Sequence, residues 1–231
     1  MEYTEASYFR RWTLACAAGE LLGLGAAGII AYLHLRWLGE PDTGAERWLN
    51  WGIMVLAGCL EGTILGWFQW NTLRLRYPTL PAPQWIGITV LVAALGWAVG
   101  MAIPLFWIGE GPAGAAPPGE PSALQTYLMA SGFGLLIGAV FGLFQWLVLR
   151  GYAQRALRWV WANAFGWALG LGFIYLAASM PVAGSSAWVN GLLGASGGVL
   201  AGLSVGAVTG RFLLSMPPYL SAVISRITPI S

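Results

Sequence analysis

Gly58-Cys59-Leu60-Glu61-Gly62-Thr63-Ile64-Leu65-Gly66-Trp67-Phe68-Gln69-Trp70-Asn71-Thr72-Leu73-Arg74 is the stretch that decides the fold. Glycine recurs at every fourth position, which lines one side of a helix with backbone alone and lets a neighbouring backbone come close. The residues between the glycines are mostly apolar, so the helix belongs in lipid. The same pattern returns at identical offsets from Gly134 through Gly138 and Gly142 to Gln145-Trp146 and Leu149-Arg150. A reduced version follows at Gly198, Gly202, Gly206 and Gly210, with Thr209 where the glutamine stood.

Working outward, the returning helices repeat as well. Gly96-Trp97-Ala98-Val99-Gly100 matches Gly166-Trp167-Ala168-Leu169-Gly170, and Gly19-Glu20-Leu21-Leu22-Gly23 keeps the glycines with Glu in place of Trp. The repeating unit is therefore a hairpin: one helix ending Gln-Trp-x-x-Leu-Arg, a short turn, and a helix carrying Gly-x-x-x-Gly. Two copies are contiguous. The third is divided between the last span and the first, and three copies running in one sense predict a ring with pseudo-three-fold hairpin repeats about the membrane normal.

Composition points the same way. Hydrophobic residues make up 58% of the 231 residues and charged residues 9%, where a globular domain has about 25% charged. Six apolar runs of the length that crosses about 30 Å of hydrocarbon fall at 13–35, 49–73, 85–108, 126–149, 159–180 and 187–214. The expected fold is all-α, a single membrane domain with glycine-zipper packing and an interfacial tail at 215–231. The first span is too long for a signal-peptide core and is read as retained.

The 11 basic residues are all arginine, and they are distributed unevenly. Arg10, Arg11, Arg74, Arg76, Arg150, Arg155, Arg158, Arg211 and Arg226 share one side if the spans alternate; Arg36 and Arg47 lie opposite with Glu40, Asp42, Glu46, Glu110 and Glu120. By the positive-inside rule both termini are cytoplasmic. Trp12, Trp70, Trp85, Trp146, Trp159 and Trp161 sit near the arginine-bearing ends and read as part of an aromatic belt. Cys16 and Cys59 lie inside spans and read as small packers, not as a disulfide or metal pair.

Two carboxylates fall within spans. An acidic residue at mid-bilayer costs about 2.5–3.5 kcal/mol on insertion scales, which makes Glu20 and Glu61 candidate functional residues by default. Glu61 is roughly 20 Å of helix from Arg74, at about 1.5 Å per residue, and so sits at mid-membrane. If the first two spans are neighbours, the two carboxyls face each other and form a proton or cation site; the other reading is polar glue between helices. Gln69, Gln145 and Thr209, with Asn163 at similar depth, form either a polar constriction on the axis or interhelical hydrogen bonds. Arg74, Arg150 and Arg211 are placed to meet lipid phosphates. His34, near the far end of the first span, reads as an interface residue. No metal cluster, nucleophile set, phosphate loop or dinucleotide fingerprint appears, so no cofactor is expected. Basic residues hug the bilayer edge without a basic domain, which argues against nucleic acid.

The string Glu61-Gly62-Thr63-Ile64-Leu65-Gly66-Trp67-Phe68-Gln69-Trp70, with Leu73-Arg74, resembles a family of bacterial multi-pass membrane proteins that carry repeated E-G-x-x-x-G-x-x-Q-W-x-x-L-R segments, each followed by a G-W-A-x-G helix. Gly138–Arg150 and Gly166–Gly170 resemble the second copy, which has Ile137 in the place of Glu61. The resemblance implies the fold and attaches no activity. The expectation for function is a non-catalytic membrane protein, an accessory or scaffolding subunit whose partners are the lipid bilayer and other membrane subunits. The alternative is a small transporter or channel for protons, cations or a small solute that uses Glu20 and Glu61.

Overall fold

A computed structural model describes residues 4–107, 122–182 and 184–219. It is all-α. Helices α1 (Glu5–Leu38), α2 (Gly44–Arg76), α3 (Ala82–Ala102), α4 (Ala123–Leu149), α5 (Arg158–Ala178) and α6 (Ala187–Leu214) are each long and apolar enough to cross a membrane. The chain is a multi-pass integral membrane protein. Helix α3 continues into a π-helical turn, Ile103–Trp107, at Pro104; proline has no N–H for the α-helical ladder, and the turn widens there. Glu110, Glu120 and Arg226 lie outside the described residues, as do the last residue of the expected third span and the tail from 220 onward.

The helices form a closed ring in the order α1, α2, α3, α4, α5, α6, with α6 against α1 and the seam between α3 and α4 the thinnest of the six. Large apolar side chains point outward on every helix, among them Leu14, Leu56, Leu91, Leu136, Phe165 and Leu200. That is the distribution a bundle needs when its solvent is hydrocarbon and its backbone polar groups are all satisfied within helices.

Missing side chains decide how closely the helices nest. A Cβ built on Gly62 would lie 2.8 Å from Val90 Cα and from Ala93 Cβ on α3. One on Gly138 would lie 2.5 Å from the Asn163 carbonyl oxygen on α5, and one on Gly202 would lie 2.5 Å from Ala17 Cα on α1. Gly58 faces the Trp97 ring, Gly66 faces Ile86 and Thr89, Gly134 the Trp167 backbone, Gly142 Val160, Gly206 Thr13, and Gly198 the Leu24 side chain. Gly25, Gly28 and Gly132 have nothing within 4 Å.

The helices α1 and α2 run well past the apolar stretches that mark them in the sequence. At its start α2 is closed by a capping box: Thr43 Oγ1 accepts from the Glu46 N–H, and Glu46 Oε2 accepts from the backbone N–H groups of Thr43 and Asp42, both at 2.9 Å. Those two donors hold the Glu46 carboxyl below its usual 4.5. A lowered acid stabilises the folded state above the unfolded value, and the contribution disappears as pH falls through the folded one. Glu46→Gln is therefore expected to lower the thermal midpoint slightly at pH 7, with a gap from the parent that closes as the buffer is taken through pH 4.5 and below. A gap that stays constant across that range would count against the cap's charge.

At the arginine-rich end the connections are knitted together. Gln154 N–H donates to the Pro217 carbonyl at 2.8 Å and Tyr219 N–H to the Tyr152 carbonyl at 3.2 Å. Arg76 donates to the carbonyls of Leu214 and Met216, and Tyr77 Oη donates to Met216 O at 2.7 Å. Burial pushes the Tyr77 phenol up to about 12, against the lowering influence of Arg76. The first residues of the expected interfacial tail are thus docked on the α4–α5 connection; their backbone groups find partners there that a headgroup layer does not supply in fixed geometry.

Candidate functional site

The three helices that start at the arginine-rich end each begin with a buried tryptophan: Trp12 on α1, Trp85 on α3 and Trp159 on α5. Each is 0% exposed. Their rings meet edge to face, with Trp159 5.9 Å from both Trp12 and Trp85. Each indole N–H donates to the partner helix of its hairpin: Trp12 to Thr209 Oγ1 (2.8 Å), Trp85 to Gln69 Oε1 (3.3 Å) and Trp159 to Gln145 Oε1 (2.9 Å). The glutamines then reach onward to the neighbouring hairpin. Gln145 Nε2 donates to Thr89 Oγ1 at 3.1 Å, and Gln69 Nε2 approaches Cys16 Sγ at 3.9 Å. Thr89 itself donates to the Trp85 carbonyl. Beneath this layer Leu73, Leu149, Leu213, Tyr77, Leu80 and Met216 complete one buried cluster.

The reading of the tryptophans is corrected here. Trp12, Trp85 and Trp159 are not belt residues but the plug of the bundle, because a hydrogen-bond acceptor on the facing helix replaces the headgroup an interfacial indole needs. Gln69, Gln145 and Thr209 are buried and hydrogen-bonded to tryptophans of neighbouring helices, the second of the two readings given for them. Asn163 is corrected as well: its Nδ2 donates to the Trp159 carbonyl one turn back on its own helix, at 2.9 Å. The sequence reading missed Thr89 and the three tryptophans. A signal was available, since Cys16, Thr89 and Asn163 each stand four residues after one of those tryptophans and so share its face.

Above the plug lies a cavity of about 230 Å³. Gln69, Thr89, Gln145 and Asn163 form its polar floor, and Trp97, Phe133, Phe141, Trp167 and Tyr175 supply aromatic walls. Glu61 is its one acidic or basic lining residue among the described residues. The Glu61 Oε2 accepts from Trp97 Nε1 at 2.7 Å; no other hydrogen bond reaches that carboxyl among the described residues. The Glu61 backbone packs on Gly23 of α1, where an added Cβ would lie 3.2 Å from its Cα. Glu20, one turn before Gly23, is 1% exposed, and neither of its carboxyl oxygens has a hydrogen-bond partner among the described residues. Gly19 and Gly23, on either side of it, pack against Leu65 and Glu61 of α2. The two acids read from the sequence therefore do come together, with Glu61 in the cavity wall and Glu20 behind it.

At the seam between α3 and α4, Phe141 bridges to Gly96, where an added Cβ would lie 2.9 Å from its ring. Further along, Gly100 lines the cavity with nothing within 4 Å. The cavity is thus walled most thinly toward the lipid on that side.

The remaining candidates lie apart from this site. Arg74 and Arg150 are exposed and sit over the rings of Trp70 and Trp146, 5.0 Å and 5.1 Å from the centroids, while Arg211 sits 5.1 Å from Phe9. His34 is buried, not at an interface. Cys16 is buried and free, as is the half-buried Cys59. Among the described residues no three His, Cys, Asp or Glu side chains converge on a common point. No protein-family model, curated protein or solved structure matches this chain.

Proposed function

We propose that this is a non-catalytic membrane protein that takes a small, largely apolar solute from the bilayer into its interior, and that the conformation described is closed on the arginine-rich side. The single observation that carries the reading is the cavity above the tryptophan plug: apolar and aromatic walls, a few convergent polar groups, and a blind floor, the make-up of a binding pocket. The plug favours binding over conduction. A scaffolding or accessory role finds less support, since outward apolar side chains are spread over all six helices and no face stands out as a partner surface. In this reading the arginine-rich end is cytoplasmic, with Arg74, Arg150 and Arg211 against lipid phosphates in a bacterial inner membrane.

The test is photolabelling of the full chain in zwitterionic nanodiscs with 3-trifluoromethyl-3-phenyldiazirine. Label on Phe133, Ile137 and Trp167 is expected to be competed saturably by tert-butylbenzene, while label on the lipid-facing Leu136 is not. Ile137→Trp, which fills the cavity, should abolish the saturable component. If cavity and lipid-facing positions respond alike to the competitor, the proposal fails.

A further inference from the structure

Among the described residues, the acids inside this bundle have no arginine beside them. Glu61 and Glu20 lie within the ring, whereas every described arginine sits within two turns of a helix end or in a connection. Charges enclosed by protein in a bilayer are normally paired, and here no arginine among the described residues is bonded to either carboxyl. Glu20 adds a second sign: its carboxyl is buried with both oxygens unpartnered among the described residues, a costly arrangement unless something else completes it.

The cavity wall offers the complement. Trp97, Phe141 and Trp167 line the same space as Glu61, and Phe141 and Trp167 pack edge to face with centroids 5.4 Å apart. Aromatic rings attract cations through their quadrupole, most strongly where water is absent, and quaternary ammonium groups are typical occupants of aromatic cages. The one hydrogen bond to Glu61 comes from Trp97, so carboxyl and aromatic group are already held together. Position 137, which corresponds to Glu61 in the second copy of the motif, is Ile; the charge is confined to one side of the cavity and an apolar tail has the other.

We infer that the solute is a lipophilic organic cation, an ammonium with an aromatic or aliphatic body, held by the Glu61 carboxylate and the rings of Trp97, Phe141 and Trp167. The inference rests on the binding role proposed above and specifies the chemistry of its ligand. Glu20, which does not line the cavity, does not touch the ligand.

Phenyltrimethylammonium and tert-butylbenzene have the same shape and differ by one charge, so they serve as competitors in the photolabelling experiment. With concentrations counted in the membrane phase, the cation is expected to displace cavity label from the unmodified chain at least tenfold more effectively than the neutral compound. In Glu61→Gln that preference should fall at least tenfold, with competition by tert-butylbenzene unchanged as the sign that the cavity persists. Should the variant lose its cavity, the preference in the unmodified chain decides alone. Equal competition by both compounds, or a preference that survives Glu61→Gln in an intact cavity, overturns the inference and leaves the binding role standing. Cavity label that neither compound displaces overturns both.

Discussion

A valine at Gly138 is expected to lower the thermal midpoint of the protein by roughly 6–12 °C. The position has no room: a Cβ would meet the Asn163 carbonyl oxygen at 2.5 Å and Trp167 Cβ at 2.7 Å, with the Asn163 carbonyl carbon at 3.0 Å. The obstructing atoms include backbone of α5, which cannot swing aside as a flexible side chain does. Overpacking of a tight core costs about 1–3 kcal/mol and sometimes more. Taking about 3 kcal/mol, and about 2–4 °C per kcal/mol for a chain of this size, gives the stated range. Gly28→Val is the matched control, because Gly28 has nothing within 4 Å and lies in the same kind of apolar helix. Its midpoint should move by no more than about 2 °C. Equal shifts for the two variants would mean that helix propensity, not close approach, is what the glycines provide.

Trp159→Ala is expected to open the arginine-rich end. Trp159 is the central ring of the plug, touching both Trp12 and Trp85, and it donates to Gln145. Truncating a buried tryptophan costs about 3–5 kcal/mol, and here it also leaves Gln145 Oε1 without its donor. The consequence can be read at Cys16, which is buried beside Trp12 in the same cluster. In a Cys59→Ser background, a membrane-impermeant methanethiosulfonate added from the arginine-rich side should leave Cys16 unmodified while Trp159 is present and modify it in Trp159→Ala. Trp161→Ala, two residues away and 59% exposed in the parent, should behave like the parent. Modification of Cys16 at the same rate in all three chains would show that no seal exists at this level.

The distribution of these results between sequence and structure has a physical basis. The six crossings are legible because span length and apolarity are properties of a continuous stretch: about 20 residues must clear the hydrocarbon wherever the rest of the chain goes. The glycine at every fourth position is legible for the same reason, since periodicity states which residues share a face. The proximity of Glu20 and Glu61 also follows from order along the chain, because consecutive helices joined by a short connection usually pack together. Periodicity does not say what covers a face. Trp12, Trp85 and Trp159 lie near the arginine-rich ends of their spans, where an indole is equally at home among headgroups or against a buried acceptor. Only the presence of Thr209, Gln69 and Gln145 across the interface chooses between them.

By itself, then, the sequence determined the number of membrane crossings, which helix faces lack side chains, and the presence of two acids at depth. Each of these is written in the spacing of neighbouring residues along the chain. The tertiary structure alone decided that the polar level is buried and bonded between helices, that Asn163 turns back on its own helix, and that a cavity with Glu61 in its wall remains above the plug. Closure and voids are set by how unlike surfaces fit across a ring: six helices close tightly around three tryptophans at one end and part along the α3–α4 seam above them.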